Sequence, residues 1–249
     1  MKLNWKAVGF LGIILLLWYA IVSLQIVSPA LFPGPIAVVI AGISWFNSGV
    51  LVQDVFISTW RLVAGLMIGA SLGIFLGLAM GRILFLEETA APFLHILRAF
   101  PPVAIIPLII VWLGIGDVAK IFSIAFAVFF PLWISTLIGV KSIPKEYLRV
   151  STLFSKRPLK TMTKVIIPAS MPFLVNGMRI AIAMGFIMIF VSELAGASSG
   201  LGYFIAAAQI VYRVDQMVAG LIVLGLLSFL TDYVFVYFSR KAFPWVTTQ

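Results

Sequence analysis

Few side chains in this sequence could take part in covalent chemistry. It contains no cysteine and a single histidine, His95, so a disulfide framework, a thiolate nucleophile and a histidine-based metal site are all excluded. It also contains no Gly-x-x-x-x-Gly-Lys-[Ser/Thr] phosphate-binding loop and no nucleophile–base constellation. We therefore predict no catalytic residue, no metal site and no cofactor in this chain. Any ATP-driven step must come from another polypeptide.

Charged residues inside apolar stretches are the remaining candidates for a functional site. Arg98 and Arg179 are each predicted a few residues inside the cytoplasmic end of a membrane span. Each side chain either extends to the lipid headgroups or faces the bundle interior, where it would attract an anion. Glu193, which follows the fifth span, is a candidate for positioning an outer loop or gate. Asp232 is two turns from Arg240, which predicts pairing between them or extension to the headgroups.

A proline-rich break interrupts the apolar stretch that contains Arg98. Pro101, Pro102 and Pro107 each remove a helix hydrogen bond. Irregular backbone at membrane depth persists only where it is buried in protein or lines a watery cavity. The break therefore favours an element that lines a pathway. Our candidates for the translocation path are Arg98, Pro101, Pro102, Arg179 and Glu193.

The segment 141–172 carries seven basic residues and one acid, Glu146. It nevertheless keeps apolar side chains at helical spacing, which are Tyr147, Val150, Leu153 and Phe154. Pro158 suits the first turn of a second helix, where its missing N–H costs nothing. Two short amphipathic helices of this kind are suited to docking into a groove of a partner protein. The alternative is a solvated basic loop held against anionic lipid, which the apolar stripe argues against.

The elements that carry these residues are membrane spans. The chain is 63% hydrophobic and 10% charged, with a mean hydropathy of +1.18, whereas soluble domains are about half apolar and a quarter charged. Its apolar runs reach about 20 residues, enough to cross ~30 Å of hydrocarbon as helices. We predict one all-α transmembrane domain over residues 1–249. Its six spans are 8–27, 60–80, 91–113, 121–140, 173–192 and 217–238.

Basic residues are unevenly distributed between these spans. If the N-terminus is cytoplasmic, twelve of the seventeen Lys and Arg residues fall on cytoplasmic segments. Only Lys120 and Arg213 fall on outer segments, and the other three lie inside spans or at their ends. The positive-inside rule therefore predicts that both termini are cytoplasmic. The net charge of +9 reflects this topology and contact with lipid, and it does not indicate a nucleic-acid partner.

The second span contains a glycine at every fourth position. These residues are Gly65, Gly69, Gly73, Gly77 and Gly81. Small residues at this spacing let a neighbouring helix approach backbone to backbone, and dispersion is the main attraction available between helices in lipid. The repeat predicts a close-packed helix within a bundle, either as simple packing or as an element that slides or rocks.

The segment Lys164 to Ala181 resembles the coupling loop of binding-protein-dependent ABC importer permeases. That loop reads Glu-Ala-Ala, three residues, Gly, nine residues, Ile-x-Leu-Pro. Counting back from Pro168 places the glycine on Ser155 and the triplet on residues 149–151, so the spacing and the proline match but Glu, both Ala and Gly do not. The resemblance implies a set of residues that couple to an ATPase. They are Glu146, Tyr147, Arg149, Val150, Ser151, Leu153, Phe154, Ser155, Lys156 and Pro168.

Further segments resemble the nitrate/sulfonate/taurine/bicarbonate subgroup of these permeases. They are 58–65, 97–108, 112–117 and 193–203, and the similarity runs from Phe32 to Phe238. The resemblance implies the type I importer fold in a prokaryotic inner membrane. It also implies a second permease copy in a homodimer or heterodimer, ABC ATPase subunits that bind ATP and Mg²⁺, and an external solute-binding protein. The implied solute is a small anion of the subgroup's classes.

Other functions stay open on the sequence. A secondary transporter or channel without an ATPase predicts charge pairs or proton-relay carboxylates at mid-span, and we expect almost none there. An ABC permease for a vitamin or vitamin precursor is a second alternative. An integral-membrane enzyme would need polar residues clustered at one depth, which one histidine and eight acids, mostly in loops, do not supply.

Overall fold

The computed structural model describes residues 5–154 and 157–246, and within them every regular element is a helix. The predicted coupling residues Ser155 and Lys156 lie outside the described residues. The helices are α1 (Trp5–Ser23), α2 (Pro35–Asn47), α3 (Val50–Arg82), α4 (Leu84–Ala99), α5 (Ile106–Leu113), α6 (Asp117–Lys141), α7 (Lys145–Phe154), α8 (Pro158–Thr161), α9 (Ile167–Leu194), α10 (Leu201–Ile210) and α11 (Val214–Ala242). A 3₁₀ turn, Pro102–Ile105, precedes α5, and a π turn, Met162–Ile166, joins α8 to α9.

Four continuous helices among the described residues are long and apolar enough to cross a membrane. They are α3, α6, α11 and the helix from Pro158 to Leu194 that ends in α9. The predicted third span is instead a bent pair, in which α4 and residues 102–113 meet at 84°. This confirms the predicted break. The first predicted span, 8–27, corresponds to a shorter apolar helix, Val8–Ser23. The all-helical class is confirmed, with four or five long spans in the part of the chain that the structure describes, where we predicted about six.

Helix α6 is the centre of the bundle. It packs between α3 and α9, and its side chains Ile124, Val128 and Leu132 are completely buried in the main hydrophobic core. Trp133 is buried equally deeply, in a second core cluster that includes Met80 at the end of α3. Burying two opposite faces requires a helix that is apolar nearly all round, as α6 is.

The five glycines of α3 all face α6. A Cβ atom on Gly69 would lie 2.4 Å from the Ala125 carbonyl oxygen, and one on Gly73 would lie 2.6 Å from the Phe129 carbonyl oxygen. The other three would meet α6 atoms at 2.6–2.7 Å, so none of the five positions can hold a side chain without movement. This confirms the predicted close packing. Because the contacts advance together along both helices, α3 and α6 run parallel, whereas α9 runs antiparallel to α6.

The bundle therefore has two distinct ends. We call the end where α3 and α6 begin and α9 finishes the distal end, and the opposite end the α7 end. Two helices too short to cross a membrane, α2 and α10, lie at the distal end. There Trp45 of α2 stacks on Phe204 of α10, with ring centroids 3.6 Å apart and planes 4° from parallel.

Candidate functional site

A buried arginine organises the distal end. Arg61 of α3 is only 4% exposed. Its Nε and Nη2 atoms lie 2.8 and 2.7 Å from Asp117 Oδ1, at the beginning of α6. Its Nη1 donates to Glu193 Oε1 and to the Ser199 carbonyl oxygen, both at 2.8 Å. One guanidinium therefore connects α3, α6, the end of α9 and the turn that precedes α10.

Glu193 is the second centre of this network and is 1% exposed. Its two carboxylate oxygens accept from Ser58 Oγ at 2.8 and 2.9 Å, and one also accepts from the Gly202 N–H at 2.9 Å. Ser58 Oγ accepts in turn from the Leu201 N–H at 2.9 Å. With Arg61 the carboxylate accepts from three different donors, which reduces the penalty for burying its charge.

The turn before α10 is shaped to receive these carboxylates. Gly200 has a φ of +116°, which a residue with a Cβ rarely adopts, and its N–H donates to Asp54 Oδ1 at 2.8 Å. A Cβ on Gly200 would also lie within 2.6 Å of both oxygens of Glu193. Only glycine therefore fits. Together these residues form the distal polar cluster, which comprises Asp54, Ser58, Arg61, Asp117, Glu193 and the turn 199–202.

The distal polar cluster joins three of the segments that resemble the importer subgroup. Glu193 was predicted to position an outer loop or gate, and the structure places it directly beneath the turn 199–202; a part in gating stays a prediction. The sequence analysis did not identify Ser58, Arg61 and Asp117 as site residues. An arginine in an apolar span needs a carboxylate partner at the same depth, and that signal was available.

The α7 end is built differently, because its apolar side chains are turned outward. Leu148 packs against Ile143 and Ile166 of the bundle, whereas Leu153 is 84% exposed and Tyr147 is 65% exposed. A groove of about 400 Å³ runs between α7 and the helix that follows it. Its lining residues are Tyr147, Val150, Ser151, Lys160, Thr161, Lys164 and Val165.

The other predicted coupling residues that the structure describes lie on α7 and in the first turn of α9. Glu146 and Arg149 are exposed on α7, and Ser151 Oγ donates to the Leu148 carbonyl oxygen within the same helix at 2.8 Å. Pro158 occupies the first turn of α8, as predicted. The matching proline of the family motif, Pro168, lies in the first turn of α9, just after the π turn.

The structure does not bring the predicted path residues to one place. Arg98 is exposed at the end of α4, and Pro101 and Pro102 form the bend that follows it. Glu193 belongs to the distal polar cluster. Arg179 lies alone among these candidates, in the middle of the bundle.

The partner predicted for Asp232 was wrong. Arg179 Nε and Nη2 donate to its two carboxylate oxygens at 3.0 and 3.1 Å, whereas Arg240 was the expected partner. Arg179 is also deeper than predicted, because the membrane helix starts well before residue 173. The expectation that mid-span positions hold almost no charge pairs was therefore wrong as well.

The sequence profile of one family, described as "Binding-protein-dependent transport system inner membrane component", matches residues 69–244. The chain belongs to this family. It is 32% identical, over 94% of its length and 85% of the relative's, to SsuC of Bacillus subtilis (strain 168), which is named as an aliphatic sulfonates transport permease. It is 30% identical, over 96% of its length and 89% of the relative's, to the taurine transport system permease protein TauC of Escherichia coli (strain K12).

A solved structure supports the same architecture. The inward-facing MetNI methionine ABC transporter matches with a TM-score of 0.65 and 21% identity, over 81% of this chain and 98% of that one. The fold is therefore that of a type I ABC importer permease. This permease is a multi-pass protein of the inner membrane, and it works with an ATPase and a solute-binding protein. Family membership, and not a lack of mid-span charges, decides against the ATPase-independent transporter.

Proposed function

We propose that this permease carries small organic sulfonates, including the zwitterion taurine, across the inner membrane. The observation that carries the proposal is similarity over more than nine-tenths of the chain to permeases named for aliphatic sulfonates and for taurine. Nitrate, bicarbonate and vitamin precursors are the competing solutes.

The α7 end is the proposed docking site for the ATPase subunits, which would bind ATP and Mg²⁺. Three observations support this assignment. Leu153 and Tyr147 expose apolar surface that none of the described residues covers, the groove beside them could take a side chain from a partner, and Lys160 and Lys164 give its rim a positive charge. An amphipathic helix with an outward apolar face is a typical element of protein docking.

The same assignment sets the orientation. With the basic α7 end in the cytoplasm, the distal end faces outward, where the solute-binding protein would deliver its cargo, and both termini are cytoplasmic. The path would then run between this chain and a second permease subunit. The departure from the family motif at Arg149 supports a partner ATPase surface matched to an arginine.

Uptake by the assembled transporter tests the proposal. The permease, its ATPase and its solute-binding protein would be reconstituted in liposomes and supplied separately with taurine, ethanesulfonate, nitrate and bicarbonate. We expect ATP-dependent uptake of the two sulfonates, and none with a hydrolysis-deficient ATPase. Uptake of nitrate or bicarbonate without sulfonate would contradict the solute class. Uptake without any ATPase would contradict the mechanism. The subunit composition of the purified complex decides between a homodimer and a heterodimer.

A further inference from the structure

A groove whose mostly apolar wall carries four polar side chains lies between α9 and α11, away from both ends of the bundle. Its volume is about 650 Å³, and the Arg179–Asp232 ion pair forms part of its wall. Asn176 and Ser228 line it as well, beside apolar residues such as Met184. Neither the distal polar cluster nor the α7 groove shares a residue with it.

The Arg179–Asp232 pair lies far from both ends of the membrane-spanning helix α9. Arg179 is twelve residues from the start of α9 and fifteen from its end, which places it ~18 Å and ~22 Å from the two ends of that helix. The side chains of Arg179 and Asp232 are nevertheless 38% and 34% exposed. Charged groups at the centre of a bilayer cost about 3 kcal/mol or more each when they face lipid. This groove must therefore open to water or to another subunit.

The geometry of the pair leaves donors for a ligand. Asp232 engages Nε and Nη2 of Arg179, whereas a guanidinium carries five N–H groups in a planar fork. The donors that remain suit the oxygens of an anionic head, and the side chains of Asn176 and Ser228 add hydrogen-bonding groups to the same wall.

We propose that Arg179, Asp232, Asn176 and Ser228 form a transient contact site for the sulfonate head of the solute along the translocation path. The inference rests on the proposed function, because a transport path provides the water that the pair needs. Asp232 neutralises much of the charge of Arg179, so the site attracts an anion without retaining it. Rapid passage requires this balance, since a solute must leave each site as readily as it enters.

The absence of cysteine from the natural sequence allows a direct test. Ser228→Cys would be introduced into the assembled transporter in membrane vesicles and treated with two water-soluble methanethiosulfonates, one carrying an ethylsulfonate and one an ethyltrimethylammonium group. Leu226→Cys is the matched control, since it is one half-turn away on α11 and 62% exposed but does not line the groove. We expect the ethylsulfonate reagent to modify position 228 about tenfold faster than position 226.

A neutral pair tests the charge itself. The double variant Arg179→Gln/Asp232→Asn keeps two hydrogen-bonding side chains in contact and avoids leaving either charge unpaired. In this background, we expect the preference of Ser228→Cys for the anionic over the cationic reagent to disappear. Asp232→Asn alone should strengthen that preference and slow ethanesulfonate uptake about tenfold, because Arg179 would then hold the anion.

The outcomes separate this inference from the proposed function. Equal modification rates at positions 226 and 228, or an unchanged charge preference in the double variant, would overturn the contact site even if sulfonates are transported. Selective anionic labelling of position 228 in a transporter that carries no sulfonate would support an anion contact site and refute the proposed solute class.

Discussion

The two ends of this permease bury opposite kinds of surface. At the distal end, charged side chains are inside and are satisfied by one another: Glu193 is 1% exposed and Arg61 is 4% exposed. At the α7 end, apolar side chains are outside, and Leu153 is 84% exposed. The distal end thus pairs its buried Arg61 and Glu193 internally, although Asp54 Oδ2 has no hydrogen-bond partner among the described residues. The α7 end instead exposes apolar surface to its surroundings.

The difference shows how one chain can combine a rigid end with an adaptable one. Arg61 and its partners join three parts of the chain that are far apart in sequence, so motion at that end must move them together or break several hydrogen bonds. The α7 end is held to the bundle mainly by apolar contacts around Leu148 and Ile166, which tolerate small shifts. Substitutions should therefore affect stability at the distal end and assembly at the α7 end.

The largest loss of stability is expected from Arg61→Leu. It removes the positive charge between Asp117 and Glu193 and leaves a buried carboxylate without its ion pair. Breaking a buried pair in this way costs about 3–5 kcal/mol. Thermal unfolding of the purified protein in detergent measures the effect. Arg213→Ala is the control, because it breaks an exposed pair with Asp215, which water screens, and it should leave the unfolding midpoint nearly unchanged. Equal thermal unfolding midpoints for Arg61→Leu and Arg213→Ala would show that the buried ion pair stabilises the protein no more than the exposed one.

An intermediate loss of stability is expected at the glycine contact between α3 and α6, which runs between the two ends of the bundle. In Gly69→Ala the new methyl group would meet the backbone of Ala125 on α6, which cannot move aside as a flexible side chain can. We expect α3 and α6 to separate slightly, at a cost of about 1–3 kcal/mol of unfolding free energy. Gly225→Ala on α11 is the matched control, since a Cβ there meets nothing within 4 Å. It should be neutral or slightly stabilising. If Gly225→Ala lowered the free energy of unfolding and Gly69→Ala left it unchanged, the close packing of α3 against α6 would be contradicted.

The smallest effect on stability, with the greatest effect on assembly, is expected from Leu153→Asp. This side chain is already in solvent, so the free energy of unfolding should change by no more than about 0.5 kcal/mol. The charge would, however, be buried in the proposed ATPase interface, and the ATPase should no longer co-purify with the permease. Ile210→Asp is the control, being 79% exposed but at the distal end, and it should retain the ATPase. An intact, active complex with Leu153→Asp would show that the docking assignment is wrong.

The sequence predicted those parts of the molecule that depend on local patterns. Hydropathy identified the four continuous spans among the described residues, the four-residue glycine repeat identified the contact between α3 and α6, and Pro101 and Pro102 identified the bend. The sequence-based prediction was less accurate where a helix extends beyond its most apolar stretch. Because α9 begins at Ile167, Arg179 lies in the middle of the bundle and not a few residues from the end of its span, as predicted.

Pairing between distant residues was the part that required the tertiary structure. Ser58 and Glu193 are 135 positions apart, and Arg179 and Asp232 are 53 apart. Helical class, spans and close packing follow from the sequence alone, because water, lipid and backbone hydrogen bonding act on each segment separately. Which carboxylate meets which arginine depends on how the helices rotate and slide against each other. Only the packed bundle decides that, because many weak contacts along several helices are optimised together.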